Sequence, residues 1–482
     1  MIARRRSLNN GGFRIPPELK KSHPLLTAAS LRMLKRLQEH PDAPRWTYRA
    51  GDYLTASELR TVVRFRTQLN TARRPRKANQ PSPAILARLH RLQSKVPLFR
   101  ERVPRGVAPT HLPHIWGQIA TMGREDVALR PERLVPDDLD LERMMVYRTA
   151  GATGHALLVP NDRIAVACYQ PFLEFALARY GVRPRFGPDR VACFLVCAQK
   201  STVTYATVLS YFKGAGFAKL NLNPEEWPGA DSPHRFFREF QPAFLTGDPI
   251  SFAEMLRMKI PAKPMAMVST AVALSQGLKQ RLSEAYRCPV IDWYSLTETG
   301  PIGYACPKNH GYHLLPHDVH IEAVAPDGKP VSPGEIGEIT VTGGRNPFLP
   351  LLRYRTGDWG RLDFGRCPCG DRMPRILDLE GRGPILFRTS HGTVVNPVDV
   401  SRVLREFPFV QHEFIQQANL ECELVARPIS KELAPDQVAV EQVLRVLFGP
   451  GISVNIRYDY DLGSRADGGK VIPYRSELLL AD

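Results

Sequence analysis

The sequence predicts an α/β protein with a large N-terminal domain, in which mostly parallel sheets are covered by helices, and a small α+β C-terminal domain. Three observations support this fold class. The chain has 482 residues, more than one simple core usually holds. Between residues 161 and 287, short apolar runs alternate with helical patterns, which is typical of parallel strands joined by helices. After residue 380 the pattern changes to a short α+β unit. We therefore predict three segments: 1–140, a helical arm with part of the large domain; 141–380, the core of the large domain; and 381–482, the small domain.

Three helices are predicted in the N-terminal segment. The first spans Leu31–His40. Thr55–Glu58 has the spacing of a capping box and opens the second, which runs to Leu69. The pair Ser82–Pro83 supplies a cap and a first-turn proline for the third helix, Ala84–Ser94. No chemical role is assigned in this segment.

A glycine-rich loop, Tyr147–Pro160, is the first stretch with candidate chemistry. Gly151 and Gly154 allow a tight bend that turns backbone N–H groups toward a phosphate. Thr149 and Thr153 add hydroxyl donors. The alternative interpretation is a plain turn.

The elements after this loop follow from apolar runs and helical periodicity. In the alternating region we predict helices Asn161–Tyr180, Thr202–Gly214, Pro233–Phe240, Ile250–Met258 and Gln276–Arg287, with strands Val191–Ala198, Phe217–Leu222, Ala243–Thr246 and Met265–Ser269. A β-hairpin is predicted from Ile321–Val324 and Ile336–Thr342. In the small domain we predict strands Gln411–Gln417, Glu421–Arg427 and Ile452–Asp459 and helices Pro397–Phe407 and Gln437–Phe448.

Polar residues follow the buried strand Cys288–Ile291 and lie at its carboxyl end, where open α/β sheets bind their ligands. Tyr294 offers an aromatic ring that can stack a purine, Thr297 a hydroxyl for a phosphate, and Glu298 a carboxylate for Mg²⁺. An ordinary exit from a strand into a loop is the alternative interpretation.

Cys367 and Cys369 are close enough in sequence to bind one metal ion. Cys306 is followed by His310 and His313, so a Cys₃His zinc site is predicted, with free thiols as the alternative. The eight cysteines lack the density of a disulfide scaffold. We therefore expect a reducing compartment and a cytoplasmic protein.

The composition describes a globular chain with no predicted membrane span and a basic surface. Its longest apolar run, Val191–Ala198, is too short to cross a bilayer. Lys and Arg total 65 against 48 Asp and Glu, a net charge of +17 that favours anionic partners. Basic runs such as Thr71–Lys77 are usually solvated, and no RNA-binding or zinc-finger motif accompanies them, so nucleic acid is unfavoured.

Four stretches in order resemble the adenylate-forming superfamily of acyl-CoA ligases, luciferases and peptide-synthetase adenylation domains. They are Thr149–His155, Asp292–Gly300, Leu352–Asp358 and Gly468–Lys470, within a region that covers about two-thirds of the chain. The residues around Arg353, together with the Cys-x-Cys that follows them, are most similar to the phenylacetate–CoA ligase-like branch. In that branch the form Cys…Gly-x-His…Cys-x-Cys favours His313 over His310 as a zinc ligand.

The resemblance implies ATP-dependent activation of a carboxylic acid, aryl or otherwise small, as its acyl-adenylate, with release of pyrophosphate. It implies transfer to coenzyme A after the small, mobile C-terminal domain rotates as a lid. Lys470, Thr297 and Glu298 would be catalytic, with Glu298 also binding Mg²⁺, and the zinc would be structural. The implied nucleotide-binding residues are Thr149, Gly151, Thr153, Gly154, His155, Tyr294, Asp358, which would bind the ribose, and Arg382.

The chain departs from the family pattern at several positions. His155 replaces the usual lysine, Ser295 a glycine, and Pro384 stands near the usual hinge aspartate. Two alternatives therefore stay open: an adenylate-forming enzyme whose acceptor is an amine or a carrier protein, and a non-catalytic binding protein with a degenerate ligase fold.

Overall fold

The computed structural model describes residues 15–71, 80–148, 157–271, 274, 276–316, 318–380, 385, 387–395, 397–404, 406–407, 409–428, 431–432, 434–460, 462, 472 and 474–478. Seven α-helices come first: α1 Pro17–Ser22, α2 Ala28–Gln38, α3 Ala56–Thr71, α4 Pro83–Gln93, α5 Pro97–Arg102, α6 Leu112–Ile115 and α7 Arg124–Leu129. The predicted capping box is confirmed, since the Thr55 N–H donates to Glu58 at 2.8 Å and the Glu58 N–H to the Thr55 hydroxyl at 3.4 Å. The predicted cap of α4 is confirmed as well, because the Ser82 hydroxyl accepts from the Ile85 N–H.

The hairpin β1–β2 frames the glycine-rich loop, and two short helices follow it. Its strands are Met144–Arg148 and Leu158–Asp162, and the helices are α8 Arg163–Ala167 and α9 Tyr169–Arg179. The sequence predicted one helix from Asn161 to Tyr180, and its first residues are strand instead. Asp162 explains the boundary, because its carboxylate accepts from the N–H groups of Ile164 and Ala165 and so caps α8.

One twelve-stranded sheet organises the large domain, in the order β11-β12-β13-β14-β10-β9-β8-β7-β6-β3-β5-β4. Its strands are β3 Val191–Cys197, β4 Tyr205–Leu209, β5 Ala215–Asn221, β6 Phe244–Gly247, β7 Ala266–Ser269, β8 Val290–Leu296, β9 Gly300–Ala305, β10 Tyr312–Leu314, β11 Val319–Val324, β12 Ile336–Gly343, β13 Leu351–Asp363 and β14 Arg375–Glu380. Strands β3 and β5–β8 pair in parallel, whereas β9–β14 and the edge strand β4 pair antiparallel. The helices of this region are α10 Ser232–Phe240, α11 Pro249–Arg257 and α12 Gln276–Tyr286.

The helix predicted at Thr202–Gly214 is wrong, because this stretch contains strand β4. Tyr205–Leu209 is rich in aromatic and β-branched residues and pairs antiparallel with β5 at the edge of the sheet. Helical periodicity and strand pairing compete in so short an apolar run, and the neighbouring strand decides between them.

The C-terminal part has its own four-stranded sheet and its own core. Its elements are β15 Phe387–Arg388, β16 Val394–Val395, α13 Pro397–Leu404, β17 Phe409–Gln416, β18 Cys422–Pro428, α14 Gln437–Phe448, β19 Val454–Tyr458 and β20 Tyr474–Ser476, with the sheet order β19-β18-β17-β20. Phe387, Phe414 and Phe448 pack at the centre of this core. Asp399 of α13 accepts from the N–H of Lys200, which follows β3, so this unit contacts the large sheet's carboxyl edge. In the part of the chain that the structure describes, none of the helices combines the length and apolarity that a bilayer crossing requires.

Candidate functional site

Strand β8 ends at Leu296, so the predicted Tyr294–Glu298 box begins in this strand and ends in the turn after it, at the point where the sheet changes from parallel to antiparallel pairing. It pairs in parallel with β7 on one side and antiparallel with β9 on the other. Gly300 closes the turn with φ +71°, and a Cβ there would lie 2.9 Å from the Tyr169 hydroxyl oxygen. The turn therefore requires glycine, and it leaves Thr297 exposed while Glu298 is buried.

Glu298 is held by two side chains from other parts of the chain. The Tyr354 hydroxyl donates to its Oε1 at 3.0 Å, and Arg124 Nη1 lies 3.4 Å from the same oxygen. Burial raises the pKa of Tyr354, so its hydroxyl stays protonated and donates at neutral pH. These contacts keep the Glu298 carboxylate oriented, and its predicted role as a Mg²⁺ ligand stays a prediction.

Tyr294 and Asp358 are also in direct contact. The Tyr294 hydroxyl lies 3.1 Å from Asp358 Oδ2 and 3.5 Å from the Thr356 hydroxyl. Thr356 in turn accepts from the Asp358 N–H at 3.1 Å and donates to the Ile339 carbonyl at 2.8 Å. Burial raises the pKa of Tyr294 far above its ordinary value, which keeps it a donor to Asp358. The assigned roles, adenine stacking for Tyr294 and ribose binding for Asp358, remain predictions.

The two predicted boxes therefore meet through a pair of crossed hydrogen bonds. Tyr294 of the first box donates to the carboxylate of the second, and Tyr354 of the second donates to the carboxylate of the first. The structure thus brings Tyr294, Glu298 and Asp358 together, with Thr297 exposed on the adjoining turn.

Seven other predicted site residues lie outside the described residues: Thr149, Gly151, Thr153, Gly154, His155, Arg382 and Lys470. For the first five, the strands on either side of the loop are described. Asn346 fixes that hairpin by donating to the Pro160 carbonyl at 2.7 Å and to Asn161 Oδ1 at 3.1 Å. Arg143, just before β1, pairs with Glu58 at 3.1 Å and Asp162 at 3.4 Å.

A second cluster joins the four residues predicted to bind zinc. Each of Cys306, His313, Cys367 and Cys369 offers one ligand atom, and these atoms all lie within 4.8 Å of one another. The sulfurs of Cys306 and Cys367 are 3.5 Å apart, and the Cys369 sulfur is 3.2 Å from His313 Nε2. His310 is exposed and is not part of the cluster that the described residues form. The cluster matches the donor set and spacing that a tetrahedral zinc ion requires, since two sulfurs bound to one zinc lie about 3.8 Å apart.

These four residues lie in two hairpins of the sheet, β9–β10 and β13–β14. Cys306 follows β9 and His313 lies in β10, whereas Cys367 and Cys369 lie in the turn between β13 and β14. Backbone N–H groups donate to two of the sulfurs, from Lys308 to Cys306 and from residue 371 to Cys369, each at 3.4 Å. Such bonds stabilise thiolates, the form that binds metal.

Aromatic packing and a fixed turn support the histidine. The Tyr304 ring stacks on His313 with centroids 5.6 Å apart, and its hydroxyl donates to Asp371 at 2.7 Å. Gly311 has φ +72°, and a Cβ there would lie 2.3 Å from the Ile376 carbonyl oxygen. The turn before His313 therefore admits only glycine, which fixes where the imidazole stands.

Sequence reasoning missed two residues of the first cluster. Tyr354 lies inside a recognised stretch, but no role was assigned to it. Arg124 lies far from every recognised motif, and its contact with Glu298 depends on folding of the whole large domain. A charged residue next to a short apolar segment gives no local signal for such a contact.

Known proteins resemble this chain in sequence and in fold. No family model matches the chain. The phenylacetate-coenzyme A ligase of Thermus thermophilus is 23% identical over 324 residues, 62% of this chain and 69% of the relative. Protein CapK of Staphylococcus aureus is 22% identical over 357 residues, 71% of this chain and 76% of the relative. A solved structure of 2-hydroxyisobutyryl-CoA ligase in complex with 2-HIB-AMP and CoA, in the thioesterification state, has a TM-score of 0.53 and 18% identity. It aligns with 82% of this chain and 89% of that one, which shows the shared fold. In its sequence motifs and in these relatives the chain is similar to the adenylate-forming superfamily and to its phenylacetate–CoA ligase-like branch, and the solved structure shows that it shares the fold.

Proposed function

We propose that the protein is an ATP-dependent acid–CoA ligase. It activates a carboxylic acid, aryl or otherwise small, as the acyl-adenylate with release of pyrophosphate, and then transfers the acyl group to coenzyme A. The observation that carries the proposal is the pair of crossed hydrogen bonds, which joins two distant motifs into one site. The similarity to a phenylacetate-coenzyme A ligase supports coenzyme A as the acceptor, in preference to an amine or a carrier protein.

The proposed reaction depends on positioning and on charge neutralisation. The substrate carboxylate attacks the α-phosphorus of ATP, and the bond to pyrophosphate breaks. Asp358 would hold the ribose hydroxyls, Tyr294 would contact the adenine, and Thr297 would donate to a phosphate. Glu298 would hold Mg²⁺, which offsets negative charge on the phosphates. The remaining assignments come from sequence: Thr149, Gly151, Thr153, Gly154 and His155 on the phosphates, Lys470 between the carboxylate and the α-phosphate, and Arg382 at the nucleotide.

The C-terminal part is proposed to act as a lid. Its separate hydrophobic core supports a domain boundary near residue 380, as the sequence predicted. The N-terminal segment, 1–140, contributes to the cores of the large domain, because α2 and α4 pack beside its sheet. A rotating lid would bring different faces of the small domain to the site for the two half-reactions. The scattered thiols support a reducing compartment, and we propose the cytoplasm.

We further propose that Cys306, His313, Cys367 and Cys369 bind a structural zinc ion. Three sulfurs and one imidazole nitrogen within 4.8 Å form a complete donor set, which leaves no position open for substrate. The ion would stabilise the fold and take no part in the chemistry.

The test is a pyrophosphate-release assay on the full chain with a panel of aromatic, short-chain and long-chain acids. Mass spectrometry of the same reactions, run with and without coenzyme A, identifies the product. We expect acid-dependent pyrophosphate release and an acyl-CoA product for at least one small acid. A chain that binds ATP but releases no pyrophosphate with any acid would support the non-catalytic alternative. Release of pyrophosphate without acyl-CoA would redirect the proposal to another acceptor.

A further inference from the structure

Arg124 faces Glu298 from the N-terminal part of the chain. Its Nη1 lies 3.4 Å from Oε1, the oxygen that also accepts from Tyr354. The Glu298 side chain is 4% exposed and the Arg124 side chain 29%. Burying a carboxylate costs free energy unless the group is paired and hydrogen-bonded. Arg124 supplies the paired positive charge in this structure.

The backbone fixes Arg124 at this place. Met122 forms a parallel bridge with Tyr354, through backbone hydrogen bonds of 3.1 and 2.8 Å to the residues on either side of that tyrosine. The Gly123 N–H then donates to Asp126 at 2.8 Å, and helix α7 begins at Arg124. The strand that holds Tyr354 against Glu298 therefore holds Arg124 there as well.

The contact has the features of an ion pair that can exchange. Its 3.4 Å distance exceeds the roughly 2.8 Å that is usual for a charge-assisted hydrogen bond, and Arg124 is partly open to solvent. Arginine keeps its charge at every physiological pH, and its planar guanidinium matches phosphate oxygens. In addition, the chain has His155 where related sequences have lysine. An imidazole carries at most a partial positive charge near pH 7, whereas a lysine carries a full one.

We propose that Arg124 is a phosphate-binding residue of the nucleotide site. It pairs with Glu298 while no divalent cation is bound, and it contacts the phosphates of ATP when Glu298 holds one. The exchange follows from charge, because a divalent cation and a guanidinium compete for the same carboxylate oxygen. This inference rests on the proposed function, since it assumes that ATP binds beside Glu298.

The first experiment measures equilibrium binding of ATP to the full chain by calorimetry, at saturating Mg²⁺. Arg124→Ala should weaken ATP binding by about tenfold, the scale of one charge-assisted contact, and Arg124→Lys should recover part of the loss. Arg130→Ala is the matched control, because Arg130 lies just after α7 and pairs with Glu132 on the exposed surface. Its ATP affinity should stay within about twofold of wild type, as expected for a surface pair.

The second experiment measures Mn²⁺ binding by paramagnetic resonance in the absence of nucleotide. Arg124→Ala should bind Mn²⁺ several-fold more tightly, because the competing cation is gone, whereas Glu298→Gln should lose that binding. The inference thus predicts opposite changes in one variant, weaker ATP and tighter metal. A purely structural ion pair would not produce this combination.

The double variant Arg124→Ala/Glu298→Gln separates charge balance from phosphate contact. If its ATP affinity equals that of Glu298→Gln, Arg124 only neutralises the carboxylate and the inference is overturned. If Arg124→Ala alone binds ATP as wild type does, the inference is overturned as well. A wild-type chain that binds ATP but activates no acid would refute the proposed reaction, and the Arg124 result would still be readable from binding alone.

Discussion

The Tyr294 hydroxyl lies 3.1 Å from the carboxylate of Asp358, so two residues assigned separately to adenine and ribose contact each other directly. The reverse contact, from Tyr354 to Glu298, measures 3.0 Å. Because burial raises the pKa values of both tyrosines, neither hydroxyl ionises near neutral pH, and both remain donors. Each carboxylate is thus oriented by an aromatic residue from the other motif, so the geometry of the proposed nucleotide site depends on both motifs.

Replacing Tyr294 with phenylalanine should disturb Asp358 while keeping the ring. We expect nucleotide affinity to fall by about threefold to tenfold and the free energy of unfolding by about 1 kcal/mol, the usual contribution of one hydrogen bond. Calorimetric titration with AMP and denaturant unfolding measure the two effects. Tyr312→Phe is the control, since that hydroxyl donates to Asp292 instead. If Tyr294→Phe binds AMP as tightly as Tyr312→Phe and the wild type do, the contact with Asp358 does not position the nucleotide.

Glu298→Gln should act through the metal. The amide oxygen can still accept from Tyr354, so the melting temperature should change little, but the charge that attracts Mg²⁺ is lost. We expect the Mg²⁺ concentration for half-maximal pyrophosphate release to rise by about tenfold or more. A Mg²⁺ titration of wild type and variant measures this, and superimposable curves would remove Glu298 from the metal site.

Lys470→Ala should slow chemistry and spare binding. A lysine is suited to stabilising negative charge in the transition state, and loss of one such donor typically costs about a hundredfold to a thousandfold in rate. Pyrophosphate release at saturating ATP should therefore fall by that amount while ATP affinity stays within a few-fold of wild type. Near-normal turnover would contradict the assignment.

His155→Lys should strengthen ATP binding. A full positive charge replaces a side chain that is mostly neutral near pH 7, and a tenfold gain corresponds to ~1.4 kcal/mol. The gain should also shrink at high ionic strength, because it is electrostatic. Unchanged or weaker affinity would give His155 a role toward the other substrate, or would separate the loop from the phosphates.

The zinc proposal predicts a stoichiometry and a stability effect. Elemental analysis of purified protein should find close to one equivalent of zinc. Cys367→Ser with Cys369→Ser should lose the metal and lower the melting temperature, because binding energy at such a site is folding energy. Cys193→Ser is the control, as this buried thiol lies outside the cluster. If the purified wild-type protein contains no metal and its melting temperature does not change when zinc is added, the four side chains are ordinary thiols and a core histidine.

The sequence predicts which three cysteines and which histidine come together, because the signal for such a group is chemical and local. Cys367 and Cys369 can reach one ion whatever the fold, and a third cysteine with a nearby histidine completes a known donor set. Only the Cys…Gly-x-His…Cys-x-Cys pattern of the related branch favours His313 over His310 as the fourth ligand. The structure places His313 in the cluster. The roles of Tyr294, Glu298 and Asp358 come from the resemblance, and the structure adds that Tyr294 contacts Asp358 while Glu298 contacts a tyrosine of the strand that carries Asp358.

Long-range pairing accounts for what could not be predicted from the sequence. Arg124 meets Glu298 because Met122 pairs with Tyr354, a contact that no local pattern encodes. Strand β4 was misread as a helix because its pairing with β5, and not its own periodicity, determines its conformation. In both cases the deciding interaction joins two segments of the chain, so the sequence of one segment alone does not reveal it.

The placement of the four proposed zinc ligands on two hairpins also bears on the order in which the chain can fold during synthesis. Strands β3 to β8 complete the parallel half of the sheet before Cys306 emerges, whereas β10, which can pair at once with β9, gains its second neighbour only when β14 emerges and Ile376 pairs with Tyr312. Pairings between distant residues form slowly, and domains tend to fold as their N-terminal parts appear. Zinc capture would therefore be a late step, and a cell short of zinc would accumulate chains with a finished parallel half and an unclosed antiparallel half. Pulsed hydrogen exchange during refolding, with and without zinc, should show protection of β8 at the same rate in both cases and delayed protection of β10 and β14 when the ion is withheld; equal rates for all three strands would contradict this order.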